Sequence, residues 1–308
     1  LLSRPKVSVC IPVYNGAAYV KGAVASVLQQ NYEDFEIVVV DNCSSDQTAA
    51  IVTELSEQFG MIRFFKNPRN LGLAGNLNKC LDCARGEYIK YLCVDDLLLP
   101  DCLSKMVTGL ETNPEVSLVC GGRLSLNEAG QAFGTRHYSS SRAVISGRKA
   151  ISRCLFGGNF IGEPTAVMFR KADAHVRFRD DLPQLMDMEM WFRLLEKGDL
   201  LNIETSVCGI RFHEAQMTQE NIKLGHLIGD NVRILSEFLK KPYLEVTKWS
   251  MIRLKLLMTY RVWVSRKYIS GKKRSNVLRE YGIRALYPFA PMAYYGVFLK
   301  RKLMKRNG

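Results

Sequence analysis

Apolar positions along the first 120 residues follow two alternating rhythms. Val7–Val13, Phe35–Val40, Met61–Phe65, Tyr88–Val94 and Val116–Cys120 are short, nearly continuous apolar runs, the length and texture of buried strands. Between them, apolar residues recur every three or four positions: Val20, Ala23, Val24, Val27 and Leu28, then Ile51, Leu55 and Phe59, then Leu73, Leu77, Leu81 and Ala84. That spacing places each set on one face of a helix. The punctuation agrees. Ser45-Asp46 suits a helix start, Gly86 a stop, and Pro100-Asp101 opens a further helix that ends near Asn113-Pro114. Strands that are apolar throughout are covered on both faces, as in a parallel sheet joined by right-handed crossovers. The class is α/β, with a mostly parallel central sheet and helices on both faces.

Beyond residue 121 the rhythm loosens. Residues 122–146 read as a polar excursion or a hairpin, and Ser146 suits the cap of a helix through Phe156. Thr165–Phe169 reads as a strand, Met188–Glu196 as a helix closed by Lys197-Gly198, and Leu200–Phe212 as one or two strands. Residues 226–308 read as mainly helical. The organisation is a domain over 1–225, with halves at about 1–121 and 122–225, followed by a helical region over 226–308. No internal repeat or low-complexity segment interrupts it.

Charge sharpens that division. The chain has 308 residues and a net charge of +13, yet residues 226–308 hold 19 Lys and Arg against 4 Asp and Glu. The first 225 residues are therefore slightly acidic, and the basic excess belongs to the last region. A near-neutral domain carrying a basic anchor fits this better than a basic nucleic-acid binder. Nine cysteines without scaffold spacing, several inside apolar runs, fit reduced thiols in a cytoplasm. Cys80 and Cys83 form a CxxC, but within a helical pattern and without further ligands, so zinc or redox chemistry is not expected. No leader is legible, and no run reaches the roughly 18 apolar residues of a membrane span. The best candidate, Leu286–Leu299, is short and contains Pro288 and Pro291.

In an open α/β sheet, ligands gather at the carboxyl ends of the strands. Those ends carry Pro12-Val13-Tyr14-Asn15, Asp41-Asn42, Lys66-Asn67 and Asp95-Asp96. The last pair is the most informative. Two adjacent carboxylates after a buried strand are costly to desolvate alone, and a divalent cation with a diphosphate is a natural partner for such hard oxygen ligands. An isolated Asp-Asp before Pro100 would otherwise read as a solvated turn.

Four segments, in order, carry a family resemblance: VSVCIPVYNGAAYVKGAVASVLQQNYEDFEIVVVDNCSSDQT, RNLGLAGNLNKCLDCARGEYIKYLCVDD, MDMEMWFRLL and RFHEAQMT. Together they closely resemble family 2 glycosyltransferases of the GT-A fold, over roughly residues 5–218. The resemblance implies a nucleotide-sugar donor, most simply a UDP-sugar, a Mn²⁺ or Mg²⁺ ion, and inverting transfer. It maps the base and ribose pocket onto Pro12, Tyr14 and Asn15, and a base or ribose contact onto Asp41. Asn42 stands where the family often has a second Asp. The DxD-type motif falls on Asp95, as a ribose or water-mediated contact, and on Asp96, as the metal ligand. The general base maps onto Asp187, with Met186 where a Glu is usual. Glu189 is the alternate base, with helix capping as its structural role. His213, in an Arg-x-His motif followed by Thr218, is implied as a further metal ligand or diphosphate contact, and Arg211 as a phosphate contact or loop-ordering residue. Gly162-Glu163-Pro164-Thr165 lies where the family borders donor and acceptor sites, and Asn70, Gly72 and Asn76 would shape the loop after the third strand.

Two other readings stay open. A sugar-phosphate nucleotidyltransferase would need a Gly-rich basic loop after the first strand, which Pro12–Gly16 does not supply. A catalytically silent scaffold would not need Asp41, Asp95, Asp96, Asp187 and His213 together. The basic region, with Trp249, Ile252, Leu256 and Trp263 among Lys248, Arg253, Lys255 and Arg266, suits an anionic membrane surface ahead of plain packing or nucleic acid. The expected acceptor is a glycan or a polyprenyl-linked glycan. The expected location is peripheral, on the cytoplasmic face of the cell membrane.

Overall fold

A computed structural model describes residues 4–137, 142–213 and 216–291. The chain divides into two compact units. The first comprises residues 1–147, 161–181 and 186–213; the second comprises 148–160, 182–185 and 214–308. The aromatic and basic residues from Met292 to Arg306 lie outside the described residues.

The first unit is built on one sheet. Its strands are β1 (Val7–Val13), β2 (Phe35–Asp41), β3 (Ile62–Lys66), β4 (Tyr88–Tyr91), β5 (Leu97–Leu98), β6 (Val116–Leu126), β7 (Ala132–Arg136), β8 (Ala143–Ile145), β9 (Val167–Arg170) and β10 (Asp199–Arg211). Helices α1 (Val20–Leu28), α2 (Thr48–Gln58), α3 (Gly72–Cys83), α4 (Cys102–Glu111) and α6 (Met186–Leu195) belong with it; α5 (Gly147–Gly157) begins at its boundary. The sheet runs β3-β2-β1-β4-β9-β6-β10-β5, with β7 on β6 and β8 on β10. β1 through β4 are parallel neighbours, and β6 pairs in parallel with β10. β9 lies antiparallel between β4 and β6.

β1 and β4 are buried at every position, and β2 at all but Phe35. Their apolar side chains meet the inward residues of α1 and α4 in one core. The expected strand at 88–94 is shorter, because its ladder ends at Tyr91 and Asp96 N–H closes a turn onto Cys93 O at 3.0 Å. The expected strand at 116–120 is longer. It continues to Leu126, turns and returns as β7, so the excursion after 121 is partly a hairpin. Leu200–Phe212 forms one strand rather than two, carried past irregular pairing near Ile203 and Ser206. At the start of α2 it is Asp46, not Ser45, that accepts from the Thr48 backbone N–H, at 3.0 Å.

The second unit is helical over its described residues: most of α5, with α7 (Met217–Lys223), α8 (His226–Phe238), α9 (Lys248–Val264) and α10 (Gly271–Glu280). Thr247 and Ser250 form a reciprocal capping box that starts α9. Asp230 on α8 accepts from the Gln184 and Leu185 backbone N–H groups at 2.7 and 3.0 Å. Arg261 donates to the Asn231 side-chain oxygen, and burial pulls its guanidinium down to about 10. Among the described residues no helix is long and apolar enough to cross a membrane.

The turn into β4 allows no side chain. A Cβ on Gly86 would stand 2.4 Å from Ser8 N and 2.7 Å from Val7 C, both backbone atoms of β1. Gly86→Ala is expected to destabilise the protein by about 1–3 kcal/mol, read as a lower midpoint of urea unfolding.

Candidate active site

Four strand ends carry the polar residues. At the end of β2, Asp41 is fully buried. Its Oδ1 accepts from Ser44, through the backbone N–H at 3.0 Å and through the hydroxyl. Its Oδ2 is buried with no hydrogen-bond partner among the described residues. Asn15, after β1, takes a left-handed backbone with φ of 49°. Its N–H donates to Ser44 Oγ at 2.8 Å, and its side-chain oxygen accepts from Ser45 N–H at 2.9 Å. Asn15 and Asp41 are thereby joined through Ser44. Pro12 is buried opposite Val40, and Tyr14 is exposed beside them.

Behind Asp41 lies an amide network. Asn42 Nδ2 donates to Asn70 Oδ1 at 2.8 Å and Gly72 O at 3.2 Å; its Oδ1 accepts from Leu71 N–H at 2.9 Å and Asn67 Nδ2 at 3.0 Å. Asn67 also donates to Asn76 Oδ1, and Asn76 donates to Val40 O. Position 42 thus needs a donor on one side and an acceptor on the other. Asn meets both demands; Asp would set an oxygen against the Gly72 carbonyl.

Asp95 and Asp96 occupy the turn after β4. Asp96 is 4% exposed, and both its oxygens are in use. Oδ1 accepts from Arg211 N–H at 3.0 Å, and Oδ2 from the Thr165 hydroxyl at 2.6 Å. That hydroxyl also accepts Cys93 N–H at 3.0 Å, replacing the next rung of the strand ladder. Burial pushes the Asp96 carboxyl well above the ordinary carboxylate range, and the neighbouring Asp95 charge pushes it further. Asp95 is more open, and its Oδ2 lies 3.1 Å from His213 Nε2. Tyr19 stacks on the His213 ring at 5.5 Å and lies under the Arg211 guanidinium at 5.4 Å.

Arg211 does not stand free for a phosphate. Its guanidinium donates to the carbonyls of Asp95, Asn127 and Glu128, tying the end of β10 to the turn after β4 and to the β6–β7 hairpin. Loop ordering is the role this geometry supports. Of the pair expected as ribose contact and metal ligand, Asp95 meets His213, while Asp96 accepts from Thr165 and the Arg211 backbone.

Two carboxylates open α6, and their surroundings separate them. Glu189 is buried between Arg193, at 2.7 Å, and Arg179, at 3.6 Å. Both guanidinium groups offset its charge. Among the described residues no ion pair holds Asp187. Burial pushes its carboxyl up to about 7; the Met188 N–H, at 2.7 Å, lowers it and the Glu163 charge raises it. Glu163 forms an ion pair with buried Arg123 at 2.5 Å. The Trp191 indole N–H donates to Gly162 O at 3.2 Å and anchors α6 to the segment that carries Glu163.

Sequence reading passed over Tyr19, Arg123 and Lys90. Lys90 is fully buried in β4 and donates to Tyr91 O at 3.1 Å and to Thr165 O. A lysine inside an apolar strand was the available signal for it. Tyr19 and Arg123 had none, because their partners come from distant strands.

A divalent ion fits this donor set. Asp95 supplies a carboxylate oxygen and His213 an imidazole nitrogen, and the Asp96 oxygens, each accepting one hydrogen bond, retain lone pairs. A cation would also relieve the like-charge pair. Among the described residues no three His, Cys, Asp or Glu side chains are already gathered as a cage. Mg²⁺ and Mn²⁺ sites completed by substrate phosphates need no full protein cage.

The sequence profile of Glycosyl transferase family 2 matches residues 8–178. An uncharacterized Mycobacterium tuberculosis protein, MT1568, is 34% identical over 78% of this chain and 77% of its own. Among solved structures, S. aureus TarS 1–349 in complex with UDP-GlcNAc superposes with a TM-score of 0.62 at 16% identity, covering 94% of this chain and 92% of that one. The mannosyltransferase PcManGT from Pyrobaculum calidifontis, in complex with GDP-Man and Mn²⁺, gives 0.63 at 17% identity, covering 100% and 89%. The fold is GT-A. The chain belongs to glycosyl transferase family 2, and it is a glycosyltransferase.

Asn42→Asp is expected to cost about 1–3 kcal/mol, since it places an acceptor against the Gly72 carbonyl and unpairs Asn70. Thermal unfolding followed by circular dichroism would read this as a lower Tm.

Proposed function

We propose that this glycosyltransferase moves a sugar from a UDP-sugar to a hydroxyl of a glycan or lipid-linked glycan by direct displacement with inversion, using Mn²⁺ or Mg²⁺. The observation that carries the reading is the meeting of Asp95, Asp96, Arg211 and His213 from two separate strand ends. Asp41 supports the donor. Its buried Oδ2 only accepts hydrogen bonds and has no partner, so it suits the imide N–H of uracil or a ribose hydroxyl. Of the compared proteins, TarS is in complex with UDP-GlcNAc and PcManGT with GDP-Man, both nucleotide sugars.

Asp95, Asp96 and His213 would hold the ion. When bound, it supplies positive charge to the diphosphate as the glycosidic bond breaks. The Asp187 carboxylate takes the proton of the acceptor hydroxyl, whose oxygen attacks the anomeric carbon from the face opposite the diphosphate. The electron pair of the broken C–O bond leaves with the nucleoside diphosphate. Thr165 and the Arg211 backbone N–H fix Asp96, and the Arg211 guanidinium fixes the Asp95 carbonyl, so the carboxylates need not reorganise as charge develops.

Release of nucleoside diphosphate from UDP-, dTDP- and GDP-sugars, with Mn²⁺, with Mg²⁺ and with chelator, tests the reading. One donor is expected to turn over only with metal, and Asp96→Ala is expected to abolish that turnover. Retention of full activity in chelator would sink the metal assignment.

Asp187 sets a pH signature. Its folded carboxyl is raised to about 7, and only the deprotonated form is a base. kcat should therefore rise with pH up to about 7 and then level off. Asp187→Asn is expected to lower kcat by about 10²–10⁴-fold and to remove the acid limb of the profile. An unchanged limb in Asp187→Asn would assign the base elsewhere.

A further inference from the structure

Helix α9 in the second unit is apolar on two opposite faces. Leu254, Met258 and Val262 are buried in the unit. On the far side, Trp249 is 75% exposed, Ile252 47% and Leu256 37%. Spaced by three and four residues, these three lie in one narrow stripe. A helix with apolar residues on both faces is normally covered on both, and this stripe is not covered within the chain's described residues.

The charges around the stripe select what covers it. Residues 248–284 contain 11 Lys and Arg and one acid, Glu280. Lys248, Arg253 and Lys255 sit beside the three apolar side chains on α9 itself. We propose that this face of α9 lies in the headgroup layer of an anionic lipid bilayer, with Trp249, Ile252 and Leu256 inserted and the flanking cations on lipid phosphates. Long basic side chains reach up to phosphates while their stems stay on apolar surface. A second copy of the chain would bring the same basic surface against itself across a twofold axis. RNA would engage the cations but leave Ile252 and Leu256 with no matching chemistry. Helix α9 has 17 residues and bears charges along its length, so it lies on the bilayer rather than through it.

The test uses the full chain with phosphatidylcholine vesicles, alone and mixed with phosphatidylglycerol, read by co-sedimentation and by tryptophan quenching with brominated lipid. The chain has three tryptophans; Trp191 is fully buried, so Trp249 is the most accessible reporter. Expected results are binding to the anionic vesicles that weakens with salt, and quenching that is lost in Trp249→Phe. Combined Trp249→Ser, Ile252→Ser and Leu256→Ser should weaken binding at least about tenfold, with nucleoside diphosphate release in detergent unchanged. A separate variant, Lys248→Gln with Arg253→Gln, should reduce the salt dependence while keeping the stripe. Wild-type vesicle affinity in the triple variant overturns the proposal, as does unquenched Trp249 on bound vesicles. A dimer that the triple variant dissociates assigns the face to a second copy, and RNA binding lost in that variant assigns it to nucleic acid; either result also overturns it.

Discussion

Much of the first unit is arranged around one difficult placement, a pair of adjacent carboxylates at the end of a buried strand. Among the described residues, the enclosed carboxylate, Asp96, has no ion pair with a guanidinium or ammonium. It is met by dipoles: the Thr165 hydroxyl and the Arg211 backbone N–H. Dipoles hold the charge in position but do not cancel it, so burial and Asp95 still push its carboxyl upward. A site held this way favours an incoming cation, whereas a salt bridge to Arg would compete with one. The topology serves this placement. β9 runs backward between β4 and β6, which brings Thr165 beside the end of β4. β10 delivers Arg211 and leads into His213, while the Arg211 guanidinium locks the neighbouring carbonyl.

The end of β2 follows the opposite logic. Asp41 keeps one oxygen paired with Ser44 and leaves the other buried and unpaired. An unpaired buried acceptor costs about 1–3 kcal/mol, a penalty that a ligand N–H or O–H would remove. The amide network of Asn42, Asn67, Asn70 and Asn76 stiffens the turns on either side. In the proposed function the two ends meet different ligand chemistries: a hydrogen-bond donor at Asp41, a cation at Asp95 and Asp96.

The strand-helix rhythm of residues 7–120 and the polar residues after each strand were legible because both are local. Period and punctuation lie within a dozen residues of one another, so Asp41, Asp95 and Asp96 could be named as strand-end groups. The choice between Asp187 and Glu189 could not be made that way. Both are acids in the first turn of α6, and what distinguishes them is that Arg179 and Arg193 reach Glu189 and not Asp187. Arg211 was readable as a site residue, but whether it would face a phosphate or backbone carbonyls was not.

The sequence by itself determined the class of sheet, the polar residues that follow its strands, and a basic excess confined to residues 226–308. Each rests on periodicity, composition or charge, which need no knowledge of distant partners. Only the tertiary structure decided that β9 is inserted in reverse, that Thr165 and Lys90 support the turn after β4, and that Asp96 is enclosed while Asp95 is open. Those features depend on which strands become neighbours, and burial, the largest influence on Asp96 and Asp187, exists only once they have.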